Sequence, residues 1–540
     1  MEAGRLDSAT DAWPDAAGAT LSPPRSRWAQ LRTLTVPLVL LLVLRLPSLY
    51  EPHWYTDEAG YANVAWQMAH GKVLFLTTWN NKPPLLFWIF QLGLGISGPS
   101  EFGIHLLSTA AEAAALVGTW ILARRYLSLR RRWAAMLLAA FFLATPIFNG
   151  DLALPENFLI AFTPWAMVAV LASLRAKERS RAVVWAALAG LLFSAAILIQ
   201  QTGLADLAAG GLLMLVASRR GVWLAVTTGI FAALVTGGVL APFVVAAELH
   251  NVIFFLVSTY TGYTQTSLQP SFLSLIPRAV AGLLLLVGLY SARNWSAERL
   301  LPWVWLAMLL LAYGLPNRPY VHFLLPAVPA GALLLARVGV PNWRAWWSWS
   351  GLAGVPLLGA IVVSTLLWVS MIAAGLAGGS LFTVKLTGEY YPAFVGKLTG
   401  ALTASGYVSV FDERAIAEHD AVLWLEQNHL TGSTAVVWSS DSWAYLLAGL
   451  RPILPEPTIY ENSQILGNPN LLRRVQVDRP VVVILTSDAY TEYGPILPVL
   501  QKGYTEVEAS ANGELWIRSD IATRVLTAAV AKRDHKRSRG

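Results

Sequence analysis

Long apolar runs separated by short polar connections dominate the chain. They fall at 34–50, 103–123, 133–148, 157–174, 182–200, 203–218, 222–246, 272–291, 299–316, 320–337 and 351–376. At about 1.5 Å per residue against a hydrocarbon core of about 30 Å, these runs predict about eleven membrane-spanning helices. The stretch 85–98 is also apolar, but it is short and broken by Gly93, Gly95 and Gly98. It is expected to be re-entrant or interfacial rather than spanning. Before it, Tyr61, Ala65, Met68 and Ala69 recur at helical spacing, which predicts a short helix lying along the membrane surface. Beyond about 380 the pattern changes. Helical periodicity at 416–428, 442–450 and 471–477 alternates with apolar, β-branched stretches at 435–438 and 480–485. Two further short strands are expected at 504–508 and 514–518, and the alternation predicts a small α/β domain.

Composition agrees with a polytopic membrane protein. Hydrophobic residues make up 55% of the 540 residues and charged ones only 13%, against about 25% charged in soluble chains. The absence of cysteine excludes disulfides and thiolate metal sites. The net charge of +7 points to no nucleic-acid partner, because the arginines sit in short connections where they set topology. Clusters occur at Arg25/Arg27/Arg32, at 124–132 and 175–181, and at Arg219/Arg220, Arg293/Arg299 and Arg337/Arg344. They occupy every second connection provided that 85–98 does not cross, so all are expected on the cytoplasmic side. The opposite connections hold Asp57, Glu58 and Lys82, then Asp151 and Glu156, then Gln200, Gln201 and Asp206. Glu248 and His250 follow, then Asn317, Arg318 and His322. The polar chemistry therefore gathers on the outer face. An odd number of spans places the C-terminal domain there too.

The expected organisation is a disordered cytoplasmic tail at 1–30, a membrane catalytic part at 31–379 with an outer loop at 51–100, an extracytoplasmic α/β domain at 380–520, and a basic tail at 521–540. No Gly-rich nucleotide motif joins a strand to a helix.

An acidic pair beside a membrane helix is commonly no more than a solvated loop. Here it opens the string YTDEAGYANVAWQMAHGKVLFLTTWNNKPPLLFW at 55–88, with DExxY, MxxG and KPPLxxW in order. That string resembles the first outer loop of the GT-C glycosyltransferases. It is most similar to bacterial relatives of protein O-mannosyltransferases and of lipid A aminoarabinose transferases. The resemblance implies a multi-pass enzyme of the bacterial plasma (inner) membrane. It would transfer a sugar with inversion from a polyprenyl-phosphate-linked donor to an extracytoplasmic glycan, lipid or protein acceptor.

By the same resemblance Asp57 is the candidate base, and Glu58 would orient the acceptor or backbone. In GDLALPENF, Glu156 matches the family's second acidic position better than Asp151 does. Glu156 would shape the acceptor site, or hold Mg²⁺ or Mn²⁺ together with Asp57; many relatives work without metal. Lys82 and Arg318 are expected to hold phosphate. Tyr61, Asp151, Tyr320 and His322 complete the expected substrate-binding set. One departure stands out: relatives often carry a lysine where this chain has Gln200-Gln201. The rival reading is a solute transporter or lipid flippase using the same charges, although carriers place such charges near the bilayer midplane.

Overall fold

The computed structural model describes residues 27–259, 272–291, 296–315, 320–338, 381–486, 494–510 and 512–527. The run expected at 351–376, Asn317 and Arg318 lie outside them. In the membrane part the helices are α1 (Arg27–Arg45), α2 (Thr56–Ala69), α3 (Pro84–Ser97), α4 (Glu101–Tyr126), α5 (Leu129–Ala144), α6 (Pro155–Leu159), α7 (Thr163–Arg175), α8 (Arg179–Ile199), α9 (Gly203–Ala217), α10 (Gly221–Ile253), α11 (Phe272–Ser291), α12 (Ala297–Gly314) and α13 (Val328–Val338). Among the described residues five segments are long and apolar enough to cross a membrane: Gln30–Tyr50, Glu101–Tyr126, Pro155–Arg175, Arg179–Ile199 and Gly221–Ser258.

Proline breaks several of the expected runs. Pro155 and Pro164 start separate helices, so the run at 157–174 becomes α6, a turn and α7. Pro326 lies in the 3₁₀ turn Val321–Ala327 that leads into α13.

The stretch 85–98 forms α3, 14 residues long and so about 21 Å, too short to cross. It folds back on α4 through a glycine contact. A Cβ on Gly103 would lie 2.2 Å from the Gly93 carbonyl oxygen, so only glycine lets the two backbones approach this closely. Trp88, Leu92 and Ile96, four apart, form its exposed apolar face.

Hydrogen bonds sort the connections into two ends of the bundle. At one end Arg124 reaches Gln30, Arg175 pairs with Glu298 at 2.6 Å, and Arg337 donates to the Arg299 carbonyl. At the other, Gln201 donates to the carbonyls of Asn81 and Leu256, and Arg45 to the connection at 150–152. The basic and acidic connections of the sequence thus lie at opposite ends.

The C-terminal part adds α14 (Leu381–Thr399), α15 (Ala404–Phe411), α16 (Arg414–Gln427), α17 (Trp443–Leu447), α18 (Ile459–Leu466), α19 (Asn468–Asp478) and α20 (Leu497–Gly503). The strands β1 (Thr434–Trp438), β2 (Arg451–Pro452), β3 (Val482–Thr486), β4 (Tyr504–Ser510) and β5 (Gly513–Arg518) form one sheet in the order β2-β1-β3-β5-β4. β2, β1 and β3 run parallel; β5 and β4 are antiparallel. Alternate residues feed the two faces, with Val437, Ile484 and Ile517 on one and Val436, Val483 and Trp516 on the other.

This domain is packed onto the membrane part. Tyr390, Phe411, Trp443 and Leu446 belong to the same buried core as α2 to α4. As a result α2 does not lie open on a membrane surface. Its residues from Glu58 to Ala65 are buried all round, because α3 covers one side and α17 the other. Asn63 fixes this contact by donating to the Ser442 carbonyl at 2.8 Å.

Candidate active site

The acidic pair opens α2, where carboxylates are favoured by the helix dipole. The two residues then diverge. Asp57 stays half-buried, whereas Glu58 is buried. One Glu58 oxygen lies 3.0 Å from His105 Nε2 on α4, and the other accepts the Ala153 N–H. Glu58 therefore ties the start of α2 to α4 and to the connection at Ala153. Tyr61 is buried edge-on against Phe87 and Phe90, with ring centroids 6.4 and 5.8 Å away.

Beneath Glu58 is a buried network that the sequence reading did not single out. Arg45, at the end of α1, donates to Thr109, Ser108 and the Gly150 carbonyl, and lies 3.3 Å from Glu112. Removing one member of such a buried pair costs about 3–5 kcal/mol, since the other charge is left uncompensated. Asp151 belongs here. Burial pushes its carboxyl up to about 6, against the pull of Arg45 and His105. Glu51 accepts hydrogen bonds from Trp54 and from Tyr390 of α14, and burial, reinforced by Asp151, pushes it up to about 8. The only sequence signal for this network was a set of charged residues inside or next to apolar runs, which membrane burial makes costly.

A second group forms around Glu156. Its carboxylate accepts a 2.6 Å hydrogen bond from Gln200 Nε2, and both side chains are buried. Glu156 and Lys82 both lie close enough to act electrostatically on His322. Tyr320 stacks on the His322 ring at 5.4 Å. Tyr55 joins this group to α2: burial, then the negative charges of Asp57, Glu58 and Glu156, raise its phenol well above the usual range. Glu156 and Lys82 thus lie within electrostatic range of His322, and Asp57 and Glu156 within that of Tyr55, while Glu58 and Asp151 lie in the network beneath. Glu248 holds a left-handed backbone at φ 66 in α10, and His250 lines a separate aromatic groove with Phe75, Trp79 and Phe255.

Among the described residues no three His, Asp or Glu side chains converge to hold a metal ion. Among these residues the expected Asp57 and Glu156 have no third such ligand beside them.

Gln200 was legible in the sequence only as a missing lysine. Here it is the partner that orients Glu156.

Comparison with known proteins bears on the fold and on part of the membrane segment. The dolichyl-phosphate-mannose-protein mannosyltransferase family model matches residues 81–247, a segment containing Lys82, Asp151, Glu156 and Gln200. An uncharacterised protein of Aquifex aeolicus is 30% identical over 101 residues, 18% of this chain and 20% of that protein. The undecaprenyl phosphate-alpha-4-amino-4-deoxy-L-arabinose arabinosyl transferase of Pseudomonas savastanoi pv. phaseolicola is 25% identical over 154 residues, 27% of this chain and 28% of that enzyme. The chain thus matches under a third of the length of either curated relative. The crystal structure of ArnT from Cupriavidus metallidurans in the apo state superposes with a TM-score of 0.58 at 17% identity, covering 89% of this chain and 97% of that one. That likeness is one of fold. By the matched mannosyltransferase segment and the shared fold together, the chain is similar to GT-C-type mannosyltransferases and aminoarabinose transferases.

Proposed function

We propose that the chain is an integral-membrane, inverting glycosyltransferase that moves a sugar from a polyprenyl-phosphate carrier to an acceptor hydroxyl at the outer face of a bacterial plasma membrane. The observation that carries this reading is the convergence of Asp57 and Glu156 on Tyr55, and of Glu156 and Lys82 on His322. Transfer from a phosphate-linked donor requires acid groups and a cation near one another, and these residues are the candidates.

The acceptor oxygen attacks the anomeric carbon while the bond from that carbon to the phosphate oxygen breaks. The acceptor proton passes to Asp57, and the carrier leaves as polyprenyl phosphate. Phosphate is a good leaving group, so the step needs a base and charge stabilisation rather than a protein acid. Lys82 supplies a positive charge for the leaving phosphate, and Arg318 is proposed as a second. Glu156, held by Gln200, shapes the acceptor side. Tyr320 and His322 offer a stacked platform for sugar or phosphate.

The test is transfer of radiolabelled sugar from a polyprenyl-phosphate donor by purified protein in sealed liposomes. A panel of envelope glycan, lipid and peptide acceptors identifies the acceptor. Labelled donor that crosses the bilayer without sugar transfer would replace this reading with the flippase.

A further inference from the structure

Behind Glu156 lies a cavity of about 20 Å³ whose walls include Thr202, Asp206, Leu309 and Tyr313. A space of at least about 10–15 Å³ on this measure accommodates one water. Four polar side chains, Glu156, Thr202, Asp206 and Tyr313, share its walls with four apolar ones. Thr202 Oγ1, Asp206 Oδ2 and the Tyr313 hydroxyl are buried and find no hydrogen-bond partner among the described protein groups. Asp206 is fully buried and is fixed on its other side, where Oδ1 accepts a 2.7 Å hydrogen bond from the Trp305 indole N–H. Its second oxygen is therefore held in place while lacking a donor. Glu156 is fixed in the same way, by Gln200. Two carboxylates thus border a water-sized space together with two hydroxyls that can donate.

We propose that a water bound in this cavity bridges Glu156 and Asp206, and that Asp206 is a positioning residue for Glu156. The water donates one hydrogen to each carboxylate and accepts from the hydroxyl of Thr202 or Tyr313. Both carboxylates and the hydroxyl that donates are then satisfied, as buried polar atoms generally are. Glu156 is held from two sides, by Gln200 and by the bridge, so its carboxylate keeps one orientation. The bridge itself stands without reference to activity; the positioning role rests on the function proposed above.

An experimental structure that resolves solvent tests the bridge directly. Density is expected within about 2.7–3.2 Å of Glu156, Asp206 and at least one of the two hydroxyls. An empty cavity, or density with the coordination of a metal cation, overturns the proposal. In the transfer assay Asp206→Leu should lower kcat about tenfold with the donor KM unchanged, and Asp206→Asn should recover most of the loss. The pair Thr202→Val and Tyr313→Phe, which leaves Asp206 and Trp305 intact, should reproduce the kcat loss. An unchanged kcat in that pair and in Asp206→Leu removes the positioning role. If the wild type transfers no sugar from any donor, the proposed function fails while the density still decides the bridge.

Discussion

Gln200 Nε2 donates to Glu156 Oε1 across 2.6 Å, joining the end of α8 to the start of α6 inside the buried wall of the site. Relatives that resemble this chain often have a lysine near this point. An amide in its place fixes the carboxylate by a hydrogen bond without adding charge. Gln200→Ala removes a charge-assisted bond of about 1.5–3 kcal/mol. Transfer should fall by about tenfold or more and the unfolding temperature should drop, as steady-state kinetics and thermal melts of the purified variant will read. Unchanged kinetics would mean that Glu156 needs no such support.

Glu58 and Asp57 are neighbours with separate duties. Glu58 binds His105 and the Ala153 N–H in the buried interior, so Glu58→Ala leaves both without their partner. A loss of about 2–5 kcal/mol is expected, visible as a lower melting temperature in detergent. Asp57→Asn should melt close to wild type. Equal stability of the two variants would contradict the division.

The C-terminal domain carries a pH-sensitive contact. Asp441 is buried next to α17 and accepts the Ser442 and Trp443 N–H groups. Burial raises its carboxyl from 3.8 to about 7, with Arg414 opposing and Asp412 reinforcing. A folded-state pKa raised in this way favours the neutral acid. Its contribution to stability is full below about 4 and is lost as pH rises through about 7. Asp441→Asn keeps the acceptor oxygen and cannot ionise. It should therefore melt higher than wild type above that window and alike below it. A constant difference across the window would rule out this titration.

Lys82 is proposed to meet the leaving phosphate. Lys82→Ala should weaken donor binding by about 1–3 kcal/mol, measured by titration with polyprenyl phosphate. Unaltered affinity would move the phosphate site elsewhere.

Much of this arrangement was legible in the sequence, for identifiable reasons. The strands at 435–438 and 480–485 lie within a residue or two of β1 and β3, because apolar, β-branched runs flanked by turn residues have few other solutions. The stretch 85–98 reads as non-spanning from length and glycines, and Gly93 packs against Gly103 as α3 folds back. The burial of α2 was not legible. Its second covered face comes from Ser442 and Trp443, nearly four hundred residues away, and no local periodicity encodes a contact of that range. The same limit hid Arg45, His105 and Glu112, which read separately as charges in apolar runs and acquire meaning only as a network. Asp206 stood in the sequence as one more polar residue of a connection, until Trp305 and the cavity gave it neighbours.

The central claim is that Asp57 is the base of a sugar transfer from a polyprenyl-phosphate donor. The most direct test is single-turnover transfer of labelled sugar by wild type and Asp57→Asn, with donor binding measured on the same preparations. The account predicts that transfer falls by a factor on the order of 10² or more while donor affinity and melting temperature stay near wild type. Near-normal transfer by Asp57→Asn would contradict it and pass the role of base to Glu156.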